Sequence, residues 1–164
     1  MFETELRGYL FSDAFAWFST GSNQFRREVF KNFSSESSYN YWGRYLATLE
    51  LSQKGKYNSF NKRMNALYES RVEYYDSLDL KLVPFLHDYA LAKIRIHQYD
   101  SAVPIYNEAI CISEWNTSDN SVLKHFSALE MAKFYAKYTA QLEKADSIFD
   151  ESMYAVLENY RRHG

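Results

Sequence analysis

The sequence predicts an all-α fold, an α-solenoid of antiparallel helical hairpins with about three repeats behind an N-terminal helical pair. Three observations lead there. A turn, an aromatic or apolar residue and a fresh amphipathic run recur at Gly55-Lys56-Tyr57, Gln98-Tyr99-Asp100 and Gln141-Leu142-Glu143, and the anchors that follow, Phe60, Ala102 and Ala145, stand 42 and 43 residues apart. A period of this size marks stacked copies of one supersecondary unit. Apolar residues fall at helical spacing along most of the chain, with no coherent strand alternation. Only two prolines and five glycines punctuate 164 residues, too few for a many-turned β fold.

Each element follows from local pattern. Leu6, Leu10, Ala14 and Trp17 belong to a wide apolar stripe over 2–18, and Thr20-Gly21-Ser22-Asn23 stops it, glycine being able to take a left-handed cap. Phe25, Val29, Phe30 and Phe33 make a short second helix, and the polar run 34–38 ends this N-terminal pair. Repeat one pairs a helix over 41–53 with one over 57–75, turning at Lys54-Gly55-Lys56; Phe60, Met64, Leu67, Tyr68 and Val72 share one face of the second helix. Repeat two pairs 82–96 with 99–114, and Pro84 and Pro104 are each placed in a first turn, where a missing N–H is harmless. Asn116 to Asn120 reads as a polar loop, and 122–138 with 142–160 forms the third pair. The chain is read as one domain, divided into 1–38, 39–78, 79–118 and 119–164.

Composition narrows the function classes. Hydrophobic residues make up 46% of the chain and aromatics 18%, which excludes a disordered chain. Nineteen Lys and Arg against 21 Asp and Glu leave a net charge of −2, so no basic excess favours nucleic acid. The single cysteine, Cys111, excludes an internal disulfide and a cysteine-based zinc site; with Ile110 and Ile112 beside it, it reads as a buried thiol. His87, His97, His125 and His163 lack ligand spacing, so no metal and no cofactor are expected. No phosphate loop or nucleophile elbow is present, and the chain reads as a non-enzyme. The N-terminal charges Glu3, Glu5 and Arg7 break any signal-peptide pattern, and no apolar run approaches a membrane span. No membrane insertion is expected, and the cytoplasm is the simplest compartment.

The stretch Tyr89-Ala90-Leu91-Ala92, then Tyr99, Ala102, Tyr106 and Ala109, resembles a tetratricopeptide repeat, with Ala90 and Ala102 at the small positions where two helices cross. The resemblance extends over about 40–160 in an extended-period variant, since the usual unit is about 34 residues. It implies a concave face, lined by the first helix of each pair, that takes a peptide or helix of a partner protein. The candidates are Trp42, Tyr45 and Leu49 in repeat one, His87, Leu91 and Arg95 in repeat two, and Glu130, Phe134, Lys137 and Tyr138 in repeat three. Such a set suits apolar anchoring, with Arg95 or Lys137 catching a carboxylate. Each also suits the core, Trp42, Leu49 and Phe134 most of all. Leu49, Leu91 and Phe134 stand where the carboxylate clamp of chaperone-binding members has asparagine, which argues against an acidic chaperone tail.

The expectation is a protein-protein interaction scaffold. The alternatives are a sensory or regulatory domain of a larger signalling protein, or a small chaperone or immunity protein for one cognate effector, since three such pairs in this length also resemble chaperones of bacterial secretion translocators. A homodimer through aromatics at a solenoid end is compatible with the pattern.

Overall fold

The structure, a computed structural model, describes residues 36–116 and 122–163. The expected helices over 2–18 and 25–33 and most of the 116–120 loop lie outside those residues. All regular structure among the described residues is helical: α1 (Glu36–Gln53), α2 (Tyr57–Ser70), a single 3₁₀ turn (Arg71–Glu73), α3 (Leu82–Arg95), α4 (Tyr99–Asn116), α5 (Val122–Tyr138) and α6 (Leu142–His163). The fold is therefore all-α, and no helix among the described residues is long and apolar enough to cross a membrane.

The residues fall into two compact units that part between Lys56 and Tyr57, with α1 in the first and α2 to α6 in the second. In the first unit, α1 buries Tyr41, Tyr45, Thr48 and Leu49, one stripe at helical spacing. The Thr48 hydroxyl donates to the Arg44 carbonyl one turn back (2.7 Å), so its polar group is satisfied inside that stripe.

In the second unit each helix packs on the next in sequence, and α3 also touches α5. Asn65 and Tyr68 of α2 meet Lys93 and Tyr89 of α3; Tyr99 and Tyr106 of α4 meet Tyr138 and Phe134 of α5. Moving forward along one helix of each pair moves the contact backward along the other, so both pairs run antiparallel. The core between them holds Leu82, Phe85, Leu86, Ala90, Ala102, Ala109 and Ile112, all at most 1% exposed. Burying each large side chain of this set stabilises the fold by about 1.5–3 kcal/mol.

The three-residue turns repeat to the residue. Helices end at Gln53, Arg95 and Tyr138, and the next begin at Tyr57, Leu142 and, between them, Tyr99. The middle residue of each three-residue turn has positive φ: Gly55 at 69°, His97 at 62° and Ala140 at 55°. At the first two, paired bonds close the helix end: Gly55 N–H to Ser52 O (3.0 Å) with Lys56 N–H to Leu51 O (2.9 Å), and His97 N–H to Ile94 O (3.0 Å) with Gln98 N–H to Lys93 O (2.9 Å). This is the Schellman arrangement, which satisfies orphan carbonyls through a left-handed residue. The period that links Phe60, Ala102 and Ala145 in sequence is thus also a period of backbone conformation. All three anchors are buried.

Four local expectations are corrected. The α2 helix stops at Ser70, not near Tyr75, because the chain tightens into a 3₁₀ turn at Arg71; the change of pitch swings Val72 off the apolar face, leaving it 63% exposed. Pro104 is the sixth residue of α4, beyond the first turn. It has no N–H for the carbonyl four residues back, and the helix tolerates it on its exposed side. Cys111 is exposed, since a helical neighbour lies about 100° around from Ile110 and Ile112 and does not share their environment. The polar run 34–38 is helical from Glu36 onward, where a carboxylate is favoured by the positive end of the helix dipole.

The left-handed turns give a direct test. Ala140 is exposed and carries a Cβ in a conformation that disfavours one. Ala140→Gly is expected to stabilise the protein by about 0.5–1 kcal/mol. Gly55→Ala is expected to destabilise it by about 1 kcal/mol through backbone strain, since no atom lies within 4 Å of the added Cβ. Urea unfolding of both variants measures the pair, and equal midpoints for all three proteins would remove the turn argument.

Candidate functional site

Two side-chain clusters in the second unit are built by helices that follow one another. The first is polar and aromatic. Glu108 of α4 accepts from the Tyr68 hydroxyl (2.6 Å) and from Arg71 Nη2 (3.0 Å). Arg71 also donates through Nη1 to the Tyr68 carbonyl (2.7 Å), and its guanidinium carbon lies 3.6 Å from the Tyr68 ring centre. Tyr68 in turn stacks on Tyr89 of α3 at 4.7 Å. Asn65 Oδ1 accepts from both the Tyr89 hydroxyl (2.9 Å) and Lys93 Nζ (2.8 Å). Burial, and then the bond to Glu108, push the Tyr68 phenol up to about 12; burial pulls the Lys93 ammonium down. Arg71 and Glu108 are 16% and 24% exposed in their side chains, so this pair is shielded enough to matter. The cluster ties α2, α3 and α4 together.

The second cluster is an aromatic seam. It runs from His97 through Tyr99, Tyr138, Phe134 and Tyr106 to His87 and Phe126, with successive ring centres 5.8–6.3 Å apart. His97 Nδ1 and the Tyr99 hydroxyl share a 2.8 Å hydrogen bond at its exposed end. At the other end, His87 Nε2 bonds Ser127 Oγ at 3.0 Å, which joins α3 to α5. Burial, with Lys133 as a lesser cause, lowers the His87 imidazole to about 4; it is neutral at physiological pH. Burial also raises the Tyr106 phenol.

The sequence-derived candidates divide by exposure. In α1, Tyr45 and Leu49 are buried, and Trp42 lies on the helix with its side chain outside the described residues. In α3, Arg95 is exposed with its guanidinium 5.3 Å from the Tyr57 ring centre, while His87 and Leu91 are half-buried. In α5, Phe134 is only 2% exposed and belongs to the seam core. Glu130 is half-buried and bonded to Lys133 (2.7 Å), Tyr138 is half-buried, and Lys137 is exposed with Nζ 5.4 Å from the Tyr138 ring centre. The structure brings Phe134, Lys137 and Tyr138 together; His87 joins them through Tyr106.

Tyr99, Tyr106 and Ser127 of the seam, and the whole Asn65–Tyr68–Arg71–Glu108 cluster, were not among the candidates. A signal existed for one of them. Tyr57 and Tyr99 open successive second helices, and each covers the last residue of the following first helix, Arg95 and Tyr138 respectively. The Glu108 cluster has no local signal, because its partners are 37 and 40 residues distant.

Two measurements probe these clusters. His87 binds its proton more weakly folded than unfolded, so its contribution is complete above about pH 6.5 and is lost as pH falls toward 4. His87→Gln is therefore expected to lose about 2 kcal/mol less stability than the parent between pH 7.5 and 4.5, read by urea unfolding at both. Glu108→Ala leaves the Arg71 charge and the Tyr68 hydroxyl unmatched and is expected to cost about 2 kcal/mol at neutral pH; Tyr68→Phe, which removes one bond only, is expected to cost about 1 kcal/mol. Compared with known proteins, the chain matches no family model, no curated protein and no solved structure.

Proposed function

We propose that this protein is a non-enzymatic interaction scaffold, a tetratricopeptide-like array of helical hairpins that binds a peptide or helix of a partner protein across the first helices of its hairpins. The observation that carries this reading is the recurrence of one turn, with its left-handed residue at Gly55, His97 and Ala140, at the same 42- and 43-residue spacing as the buried anchors. Hairpins that repeat in register stack with one face made of first helices, and such arrays present extended binding surfaces. Within the second unit that face belongs to α3 and α5. Leu91 and Tyr138 supply half-buried apolar area, and Arg95 and Lys137 supply exposed cations. The ligand suited to them is a segment with an apolar anchor and a nearby carboxylate.

The packing around His87 supports a binding role. His87 lies half-buried at the end of the aromatic seam, bonded to Ser127 and set against the rings of Tyr106 and Phe126.

The test is affinity capture from native lysate with three proteins: the parent, Leu91→Ala/Arg95→Ala/Lys137→Ala, and a Lys62→Ala control at an exposed residue of α2. A discrete partner kept by parent and control, and reduced at least tenfold in the triple variant, is the expected result. A partner retained equally by all three would move the binding surface elsewhere.

A further inference from the structure

The second helices of the hairpins have equivalent positions with unequal surroundings. Three residues in, Phe60, Ala102 and Ala145 are all buried, and ten residues in, Leu67, Ala109 and Ser152 are all buried. Another stripe behaves differently. At the first residue, Tyr57 and Tyr99 are half-buried, covered by Arg95 of α3 and Tyr138 of α5. Seven residues in, Met64 and Tyr106 are 0% and 5% exposed. In α6 the same two positions are Leu142, 58% exposed, and Phe149, 50% exposed.

The bare stripe continues along α6. Met153 is half-buried where the equivalent Tyr68 of α2 stacks on Tyr89 of α3, and Leu157 is 55% exposed. From Leu142 to Leu157 the stripe is about 22 Å long, at 1.5 Å of rise per residue. Exposed Glu143 and Asp150 line one flank, and exposed Asp146 stands on the stripe itself, one turn after Leu142. The surface is thus the continuation of a seam used twice already within this unit, where α2 receives α3 and α4 receives α5.

We propose that α6 docks an amphipathic helix of a partner protein, laid antiparallel along Leu142, Phe149, Met153 and Leu157, with large apolar side chains at i and i+4 and basic residues facing the acidic flank. The two existing seams define the spacing. Phe134 and Tyr138 are the i, i+4 pair that α5 lays on Tyr99 and Tyr106. The acidic flank defines the charge. A helix in an apolar groove read through such anchors is a recurring recognition mode. This site rests on the hairpin-repeat part of the preceding reading and not on the face formed by α3 and α5.

The probe is a fluorescein-labelled peptide of the sequence 122–138, which carries Phe134, Tyr138, Lys133 and Lys137. Fluorescence anisotropy against the full chain is expected to show saturable binding that weakens at least tenfold in Phe149→Asp. The Tyr154→Asp variant, a change at a 68% exposed residue off the stripe, is expected to bind as the parent does. Leu142→Asp, at the first residue of α6, is the second variant should Phe149→Asp lose its helical circular dichroism. No saturable binding, or equal binding by all variants, overturns the proposal. Light scattering that finds a dimer, dissolved by Phe149→Asp, also overturns it by making a second copy the occupant. Loss of the probe with the Leu91/Arg95/Lys137 effect intact removes the α6 site alone; the converse removes only the face of α3 and α5.

Discussion

A three-residue reversal with a left-handed residue at its centre is the constraint on which the second unit depends. One helix ends at Arg95 and the next begins at Tyr99, so the two cannot part, and the left-handed turn between them lays α4 against α3. The anchor three residues into the new helix must then face the old one. Ala102 and Ala145 fill that place with a single methyl, which lets the backbones approach. The cost falls on His97 and Ala140, which hold positive φ without being glycine, and burial of the hairpin's apolar faces offsets it several-fold.

From that reversal follows the two-sided character of a second helix. In α4, one side closes on α3 and the other receives α5. The second contact is made in two different chemistries. Between α2 and α3 it is largely polar, with Asn65 accepting from Tyr89 and Lys93, and Tyr68 and Arg71 extend it to Glu108 of α4. Between α4 and α5 it is rings against rings. A polar junction of this sort is sensitive to the loss of one partner, because the others stay shielded. A ring seam degrades more gradually. The unit is accordingly expected to be stiffer in geometry at its α2–α4 end and more tolerant of substitution along the seam.

Much of this was legible in the sequence, and the reasons are local. Helix ends at Gln53 and Tyr138, and the end at Arg95 to within one residue, follow from turn residues and apolar spacing, both of which are read within a few residues. The anchors Phe60, Ala102 and Ala145 were legible because a period repeats them. What escaped was whatever depends on the third dimension or on a change of pitch. Val72 continued the apolar stripe only if α2 stayed α-helical, and the 3₁₀ turn at Arg71 broke that condition. Cys111 was judged by its neighbours in sequence, whereas a helix gives adjacent residues different surroundings. Of the candidate binding residues, Phe134 shows the limit most clearly: spacing alone places it on the face of Leu91, but Tyr99, Tyr106 and Tyr138 close over it.

That enclosure shapes what the face of α3 and α5 can do as a binding surface. With Phe134 consumed by the seam, no fully exposed aromatic remains among the α3 and α5 candidates to act as a deep anchor. Arg95 and Lys137 are exposed cations, and ion pairs at such positions contribute about 0–1 kcal/mol each. They steer and orient a partner more than they hold it. The grip has to come from apolar area, and Leu91 and Tyr138 offer only their half-buried surfaces. On the proposed reading, a ligand for this face is extended, spreading modest contacts along both helices. The stripe on α6, with Leu142, Phe149 and Leu157 each at least half exposed, is the better anchor. Two surfaces of unequal character on adjacent hairpins suit a scaffold whose affinity comes from one end and whose selectivity comes from the other.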